Sequence, residues 1–363
     1  MGTLSLEVPR YPRGPDLYRI GTHCRITIAW GLEAAISTVG SLGEFGLIRA
    51  IAARMPPGPL TSVGIGDDSA VVGTPSGSVV VAVDLVLEGR HFLRSWSAGH
   101  DVGVKAAARS LADIAAMGAV PIALLAAVAL PGSLPASWAL DLADGLAAEA
   151  ARAGAGVVGG DTASAGSVLI SVTALGDPRG VPVVKRSGAT PGDVVAVCGP
   201  LGHSAAGYAL LSAGAAEPAD LVAAHLRPSP PYDAGPEAAR LGATAMIDVS
   251  DGLLADLGHV AAASGVTIDV SSATLVPSGD GPLWRALFLY GTDNGDSRAH
   301  VLHWTLTGGE DHALVATFPP SAALPPRWRV IGTVRPSAAS DTAALVTVDG
   351  EPYAGPAGWE HFR

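Results

Sequence analysis

The chain has 363 residues, of which 48% are hydrophobic and 15% are charged, and its formal net charge is −11 at pH 7. This length is typical of about two domains and is sufficient to bury a core without disulfide bonds. An acidic chain lacks the basic surface that nucleic-acid binding requires, and it is poorly matched to an anionic membrane. Composition therefore excludes nucleic-acid and membrane partners and favours an ordinary globular protein.

The cysteine content and the apolar runs indicate the compartment. Two cysteines, Cys24 and Cys198, exclude a disulfide scaffold and a four-cysteine zinc site. The longest uncharged apolar run, residues 119–130, is too short to span a bilayer. The N-terminus lacks an apolar core followed by a cleavage site, so no signal peptide is predicted. We therefore expect a cytoplasmic protein.

The first half of the chain predicts alternating helices and strands after an irregular start. Residues 1–40 are rich in proline, arginine and glycine with little periodicity, which predicts a loose extension. A domain is predicted over 41–180, and the glycine- and proline-rich residues 178–191 are typical of a linker. The hydrophobic pattern predicts helices at 44–55, 101–117 and 135–153, and strands at 78–84, 122–130, 156–158 and 167–175.

The second half, 190–363, predicts another mixed domain. Helices are expected at 204–213, 219–226, 233–241 and 251–263, and strands at 193–197, 245–248, 266–270, 301–306, 312–317, 328–333 and 343–348. The predicted fold class is therefore α/β (α+β), with two related halves facing each other.

Acidic residues recur beside glycines and at the ends of apolar strands. The sites are Asp67-Asp68, Asp84, Asp113, Asp161, Asp248 with Asp251, and Glu310-Asp311. Each alone is explained as a turn or helix cap. Together they are harder to explain, because buried carboxylates are costly unless paired, and the chain has only two lysines. Oxygen ligands favour Mg²⁺, Mn²⁺ or Ca²⁺ over zinc, and Mg²⁺ usually holds a substrate phosphate as well.

Two common nucleotide motifs are excluded by context. The G-x-G-x-x-G at 154–159 follows a predicted helix and precedes a strand, which is the reverse of a Rossmann turn. Neither lysine has the glycines and the Ser or Thr of a Walker P-loop. No local motif for a Ser or Cys nucleophile is present. ATP, if it is a substrate, must bind by another scheme.

Seven short motifs occur in an order that resembles the thiamine-monophosphate kinase family. This family is a branch of the ATP-binding superfamily of aminoimidazole ribonucleotide synthetase, selenophosphate synthetase and the hydrogenase maturation factor HypE. The similarity extends from about Gly43 to the C-terminus. The motifs are Gly64-Ile65-Gly66-Asp67-Asp68, Glu88-Gly89-Arg90-His91-Phe92, Lys105 through Asp113 to Gly118, Gly159-Gly160-Asp161-Thr162, Arg186-Ser187-Gly188, Asp248-Val249-Ser250-Asp251-Gly252-Leu253 and Gly308-Gly309-Glu310-Asp311.

The resemblance implies a two-domain aminoimidazole ribonucleotide synthetase-like fold whose N-terminal sheet forms a barrel in a homodimer. It implies ATP-dependent phosphorylation of thiamine monophosphate to thiamine diphosphate, assisted by several Mg²⁺ ions. The implied Mg²⁺ ligands are Asp68, Asp84, Asp113, Asp161, Asp248 and Asp251. The implied ATP contacts are Gly160, Arg186 and Ser250, and the implied contacts to thiamine phosphate are His91, Glu310 and Trp359. A phosphate oxygen is already ionised at neutral pH, so no general base is expected.

The chain departs from the family pattern at two places. Ala82-Val83 stand where the family has Ser-Thr before the metal-binding Asp, which removes two hydroxyls. His312-Ala313 stand where the family has Tyr-Glu, and this change is expected to affect the substrate end of the site. Three alternatives stay open: a kinase for another acceptor, a non-catalytic Mg-nucleotide-binding homologue, and a metal-dependent phosphatase that activates water.

Overall fold

The computed structural model describes residues 38–65, 69–276, 279, 281–290, 297–337 and 345–359. The predicted extension over residues 1–40 therefore lies almost entirely outside the described part of the chain. The first half contains three helices and six strands: α1 (Val39–Ala52), β1 (Thr61–Val63), β2 (Val71–Val72), β3 (Val80–Leu87), α2 (Gly99–Ala116), β4 (Val120–Leu130), α3 (Ala136–Arg152), β5 (Gly156–Ser164) and β6 (Leu169–Asp177).

The second half begins after the predicted linker. Its described elements are β7 (Val194–Cys198), α4 (His203–Ser212), α5 (Ala219–Leu226), α6 (Ala234–Arg240), β8 (Ala245–Asp248), α7 (Leu253–Ser264), β9 (Val266–Val270), α8 (Ser272–Leu275), α9 (Pro282–Tyr290), α10 (Ser297–Thr307), β10 (Leu314–Phe318), β11 (Arg329–Pro336), β12 (Val346–Val348) and β13 (Glu351–Pro352). Among the residues described, no helix is long and apolar enough to cross a membrane.

The first half is built on a four-stranded sheet in the order β3-β6-β4-β5. One face of this sheet is covered by α2 and α3, and the side chains that point there, such as Val86 and Val172, are buried. Strand side chains alternate between the faces. The other face is open and exposes apolar residues on β3, including Val81, Val83 and Leu85, which are 58%, 63% and 50% exposed. The described chain thus leaves one apolar sheet face uncovered.

The second half is built on a seven-stranded sheet in the order β13-β12-β9-β11-β7-β10-β8. Alternate residues of β7 belong to different cores, because Val195 and Val197 pack among the helices of the second half. Ala196 and Cys198 join the core that contains α2. Helix α2 is therefore sandwiched between the two sheets, and fifteen of its eighteen residues are buried. This position brings the α2 side chains to the boundary between the halves.

The prediction of a strand at 301–306 is wrong. These residues lie in α10, where Val301, Trp304 and Thr305 are buried. Their spacing of three and four residues places them on one helix face, and the short apolar run fits both patterns. Strand β5 is also longer than predicted and continues through Ser164. The Gly159-Gly160-Asp161-Thr162 motif thus lies within a strand and not after it.

Close approach of α2 and α3 explains two glycines. A Cβ at Gly103 would lie 2.2 Å from the carbonyl oxygen of Leu142, and one at Gly145 would lie 2.2 Å from that of His100. We predict that Gly103→Ala lowers the free energy of unfolding by about 1–3 kcal/mol, because the helices must separate. The measurement is urea unfolding followed by circular dichroism.

Gly258→Ala is the matched control. Gly258 lies within α7, and nothing lies within 4 Å of a Cβ built there. Alanine is favoured over glycine in a helix by roughly 0.5–1 kcal/mol, so this variant should equal or exceed the wild type. Equal stabilities for the two variants would contradict the close-packing argument.

Candidate active site

Helix α2 carries a charged stripe along the boundary between the halves. Lys105, Arg109 and Asp113 are spaced four residues apart, so successive side chains lie about 6 Å apart along one face. Because α2 lies between the sheets, this face meets loops from both halves. The stripe therefore has a basic end, formed by Lys105 and Arg109, and an acidic end, formed by Asp113.

The basic end of the stripe binds Glu310. Lys105, which is only 2% exposed, donates from Nζ to Glu310 Oε2 at 2.9 Å, and Arg109 donates to Glu310 Oε1 at 3.0 Å. Burial would raise the pKa of Glu310, but the Lys105 and Arg109 cations outweigh it and hold this pKa at about 2. Glu310 is thus a carboxylate that bridges two cations and joins the halves.

Lys105 also brings a second predicted substrate residue to this end. Its Nζ donates to the carbonyl oxygen of His91 at 3.0 Å. The His91 ring faces the end of β3, because the backbone N–H of Leu87 donates to its Nδ1 at 3.0 Å. His91 and Glu310, which are far apart in sequence, therefore share one lysine.

The acidic end of the stripe gathers three carboxyl groups. Burial raises the pKa of Asp113 to about 8, and the neighbouring charges of Asp248 and Asp84 add to this effect, whereas Arg186 opposes it. Asp84 comes from β3, and Arg109 lies 3.9 Å from its Oδ1. The Oδ2 atom of Asp84 is buried without a hydrogen-bond partner in the described part of the chain. Such mutual repulsion is unfavourable unless a cation is bound.

A loop that follows β8 adds Ser250 and Asp251. The side chain of Asp256 accepts hydrogen bonds from the backbone N–H groups of Ser250, Asp251 and Gly252 at 3.0, 3.1 and 3.1 Å. Burial raises the pKa of Asp256 to about 8, and the charges of Asp248 and Asp251 add to this effect. The backbone hydrogen bonds lower the pKa but do not outweigh these effects. Sequence reasoning missed Asp256, although an acid in the first turn of a helix after Ser-Asp-Gly is a recognisable capping signal.

The same loop contacts Glu310 and the third predicted substrate residue, Trp359. The backbone N–H of Glu310 donates to the carbonyl oxygen of Ser250 at 2.8 Å, and that of Trp359 donates to the carbonyl oxygen of Asp251 at 2.9 Å. The Trp359 side chain is 59% exposed. The structure therefore brings together Ser250, Asp251, Glu310 and Trp359. The order of the motifs along the chain did not by itself require this proximity.

Asp161 and Gly160 lie elsewhere within this chain. Gly160 pairs with Ala126, in a row across the sheet that leads to Asp84. Asp161 pairs with Ala127, in the adjacent row, so alternation places it on the open face and not on the face of Asp84. The two strands are at opposite edges of the sheet, roughly 14 Å apart at ordinary strand spacing. The structure does not bring Asp161 to the Asp113 cluster.

Glycine at position 160 also has a packing reason. A Cβ there would lie 1.9 Å from the carbonyl oxygen of Ala126. Of the other predicted ligands, Asp68 lies outside the described residues, together with Gly66 and Asp67. Arg186 is exposed on the segment between the halves, where its charge acts on Asp113.

The described residues have the chemistry of a divalent-cation site, but their side chains do not form a complete site. They contain no group of three or more His, Cys, Asp or Glu side chains arranged to hold a metal ion. However, the unpartnered Asp84 Oδ2 and the raised pKa of Asp113 mark a place where the acids outnumber the cations beside them. Oxygen-only donors of this kind suit Mg²⁺.

Fold and site together define a two-domain α/β protein with a charged stripe at the boundary between its domains. Residues 66–177 match the family model described as AIR synthase related protein, N-terminal domain, and residues 190–291 match its C-terminal domain. The AIR synthase related fold class predicted from sequence is thereby confirmed.

Similar proteins narrow this class. The chain is 48% identical over 326 residues to thiamine-monophosphate kinase of Mycobacterium tuberculosis (strain ATCC 25618 / H37Rv), covering 90% of this chain and 93% of that protein. It is 39% identical over 333 residues to that of Corynebacterium glutamicum, covering 90% and 95%. The solved structure of AaThiL complexed with AMPPCP and TMP matches with a TM-score of 0.69 and 32% identity, covering 93% of this chain and all of that one. The chain belongs to the thiamine-monophosphate kinase family of phosphotransferases.

The raised pKa of Asp113 predicts how stability depends on pH without metal. Its folded pKa of about 8 exceeds the ordinary aspartate value, so between these two values the folded state binds more protons than the unfolded state. Stability should therefore fall as the pH rises from about 4 to 8. We predict that Asp113→Asn, in EDTA, is more stable than the wild type by about 1–3 kcal/mol at pH 8 and by less at pH 5.

Urea unfolding at both pH values measures this difference. Adding MgCl₂ at pH 8 should stabilise the wild type more than Asp113→Asn, because a cation binds the folded carboxylates. Identical pH slopes for the two proteins would show that Asp113 is not strained by its acidic neighbours.

Proposed function

We propose that the protein transfers the γ-phosphoryl group of ATP to the phosphate of thiamine monophosphate, giving thiamine diphosphate and ADP. The observation that carries this proposal is the α2 stripe, which places the basic pair Lys105 and Arg109 within about two turns of Asp113. Asp84 and Asp248 join Asp113 at its acidic end. The 48% identity to the Mycobacterium tuberculosis kinase supports the choice of substrates. We also propose the cytoplasm as the compartment, which remains an expectation from the sequence.

The reaction requires charge neutralisation more than proton transfer. An oxygen of the acceptor phosphate attacks the γ-phosphorus and forms a new P–O bond. The bond between the γ-phosphorus and the oxygen that bridges it to the β-phosphate breaks, and ADP leaves with the electron pair of that bond. The attacking oxygen is already ionised, so the chain needs no general base. Catalysis then depends on alignment of two polyanions and on stabilisation of their charge.

The residues divide between the two substrates. Arg186 and Ser250 bind ATP, and Arg186 supplies a cation near Asp113. Gly160 is not assigned to ATP, because it lies on the far edge strand, where packing against Ala126 explains the glycine. His91, Glu310 and Trp359 bind thiamine monophosphate, and Lys105 holds the first two of them. Lys105 and Arg109 together outweigh the charge of Glu310, so the net positive charge at this end suits the phosphate of the acceptor.

Asp84, Asp113, Asp248 and Asp251 would hold Mg²⁺, with Asp68 as a further ligand that the family pattern predicts. Asp161 is left out of this set, because it lies on the open face of the sheet. Bound Mg²⁺ neutralises the phosphate oxygens and aligns them for transfer. The missing hydroxyl at Val83 does not bear on Asp84 within one chain, since their side chains point to opposite faces of β3. Ala82 lies on the face of Asp84, so only its lost hydroxyl concerns this site.

The test of the activity is ³¹P NMR with ATP, MgCl₂ and thiamine monophosphate. Signals of thiamine diphosphate and ADP should appear and should be lost with EDTA. Asp84→Asn should lower turnover on the order of 100-fold or more, because it removes a charged ligand from the acidic end. The matched control is Asp141→Asn, an exposed position on α3, which should retain wild-type turnover.

Other outcomes select the alternatives. ATP consumed without thiamine diphosphate would indicate a metal-dependent hydrolase. Nucleotide binding without turnover would indicate a non-catalytic homologue, and transfer only to another acceptor would replace thiamine monophosphate as the substrate. Wild-type turnover in Asp84→Asn would remove that residue from the site.

We further propose a homodimer that covers the open face of the first sheet, with domains over 41–180 and 190–363. Val81, Val83 and Leu85 form an exposed apolar row on β3, and Leu125 of β4 is exposed as well. Contiguous apolar surface on one sheet face is typical of an interaction surface. A second copy of the same sheet would bury it and close the two sheets into a barrel.

Val81→Glu tests the dimer. Burying a charge in an apolar interface is costly, so this variant should be a monomer in size-exclusion chromatography with light scattering, where the wild type is a dimer. Phe288→Glu is the control, because Phe288 is 91% exposed on α9 of the other domain and should leave the dimer intact. A dimeric Val81→Glu or a monomeric wild type would contradict the proposal.

A further inference from the structure

His312 contacts the metal end of the site and not the substrate end that sequence analysis expected. Its Nδ1 lies 2.9 Å from Oδ2 of Asp248, and the two side chains are 2% and 5% exposed. The expectation that the change at His312 affects the substrate end is therefore wrong in this structure. The neighbouring Glu310, and not His312, faces Lys105 and Arg109.

The backbone holds His312 in this position from both sides. The N–H of His312 donates to the carbonyl oxygen of Val249 at 2.9 Å, and the N–H of Val249 donates to that of Ala313 at 2.8 Å. His312 adopts a φ of 52°, in the left-handed region that few residues other than glycine occupy. Such a conformation persists only where the surrounding contacts enforce it, and it is concentrated at functional sites.

The hydrogen bond has one chemically sensible direction. The oxygens of an aspartate carboxylate accept hydrogen bonds, and Oδ2 of Asp248 is the atom that faces the ring. Nδ1 of His312 is then the donor. The other ring nitrogen, Nε2, is buried and has no hydrogen-bond partner among the described residues. The ring thus directs its one hydrogen bond at Asp248, at the cost of an unsatisfied Nε2.

We propose that His312 is a positioning residue that fixes the Asp248 carboxylate as a ligand for the divalent cation. The Nδ1–H group engages Oδ2 and leaves Oδ1 for the cation. Hydrogen bonds to ligating carboxylates orient them and contribute to metal affinity. This inference rests on the metal site of the proposed function, but it does not depend on which phosphate acceptor is used.

The test is Mn²⁺ binding to the full-length chain with AMPPCP, followed by the electron paramagnetic resonance signal of free Mn²⁺. His312→Ala should weaken Mn²⁺ binding by about 10–100-fold, the effect usual for a partner of a ligand. His312→Asn, whose amide can donate in place of Nδ1, should restore most of the affinity. His303→Ala is the control, since His303 contacts Tyr353 and lies outside the acidic group.

Thermal unfolding of each variant in EDTA separates folding from binding. A folded His312→Ala with wild-type Mn²⁺ affinity overturns the inference, and so does a folded His312→Asn that binds as weakly as His312→Ala. If His312→Ala does not fold, His312→Leu replaces it in the comparison with His312→Asn. A wild type that shows this Mn²⁺ pattern but no phosphoryl transfer refutes the proposed function alone, whereas a wild type that does not bind Mn²⁺ refutes both.

Discussion

The burial of helix α2 between two sheets is the constraint on which the rest of the structure depends. A helix in that position is expected to be apolar on all sides. Alanine and glycine supply eight of its eighteen residues, and Gly103 allows α3 to approach closely. Lys105 is a buried cation on this helix, and a buried ammonium is tolerable only when it is paired. Glu310 of the second domain is that partner. The ion pair that offsets the burial of Lys105 therefore also joins the two domains.

Charge along the stripe then changes sign over a short distance. Lys105 and Arg109 are satisfied by Glu310, whereas Asp113 lies among other acids, whose effect the charge of Arg186 opposes. A folded chain that keeps acids unpaired gives up stability for function. The two ends suit the two parts of the proposed reaction: a metal-bound polyphosphate at the acidic end and a zwitterionic acceptor at the basic end.

The sequence was sufficient for most elements, for the fold class and for the stripe, because α2 has a clear helical period. It was insufficient at 301–306, where a short apolar run satisfied both strand and helix spacing. Asp161 could not be placed, since its face depends on where β5 ends, and one residue of register exchanges the faces. The role of His312 could not be inferred either, because the contact to Asp248 is made across two strands and depends on a left-handed backbone conformation.

Strand β3 links the open face to the site. Val83 and Asp84 are adjacent, so alternation gives one to the apolar face and the other to the acidic group. Edge strands are the least constrained part of a sheet, and among the residues that the structure describes, β3 is paired on one side only, by β6. A partner that packs on Val81, Val83 and Leu85 would therefore restrain the strand that carries Asp84. In a homodimer, the interface would then contribute to the order of the metal site without adding a ligand to it, because the same backbone serves both faces.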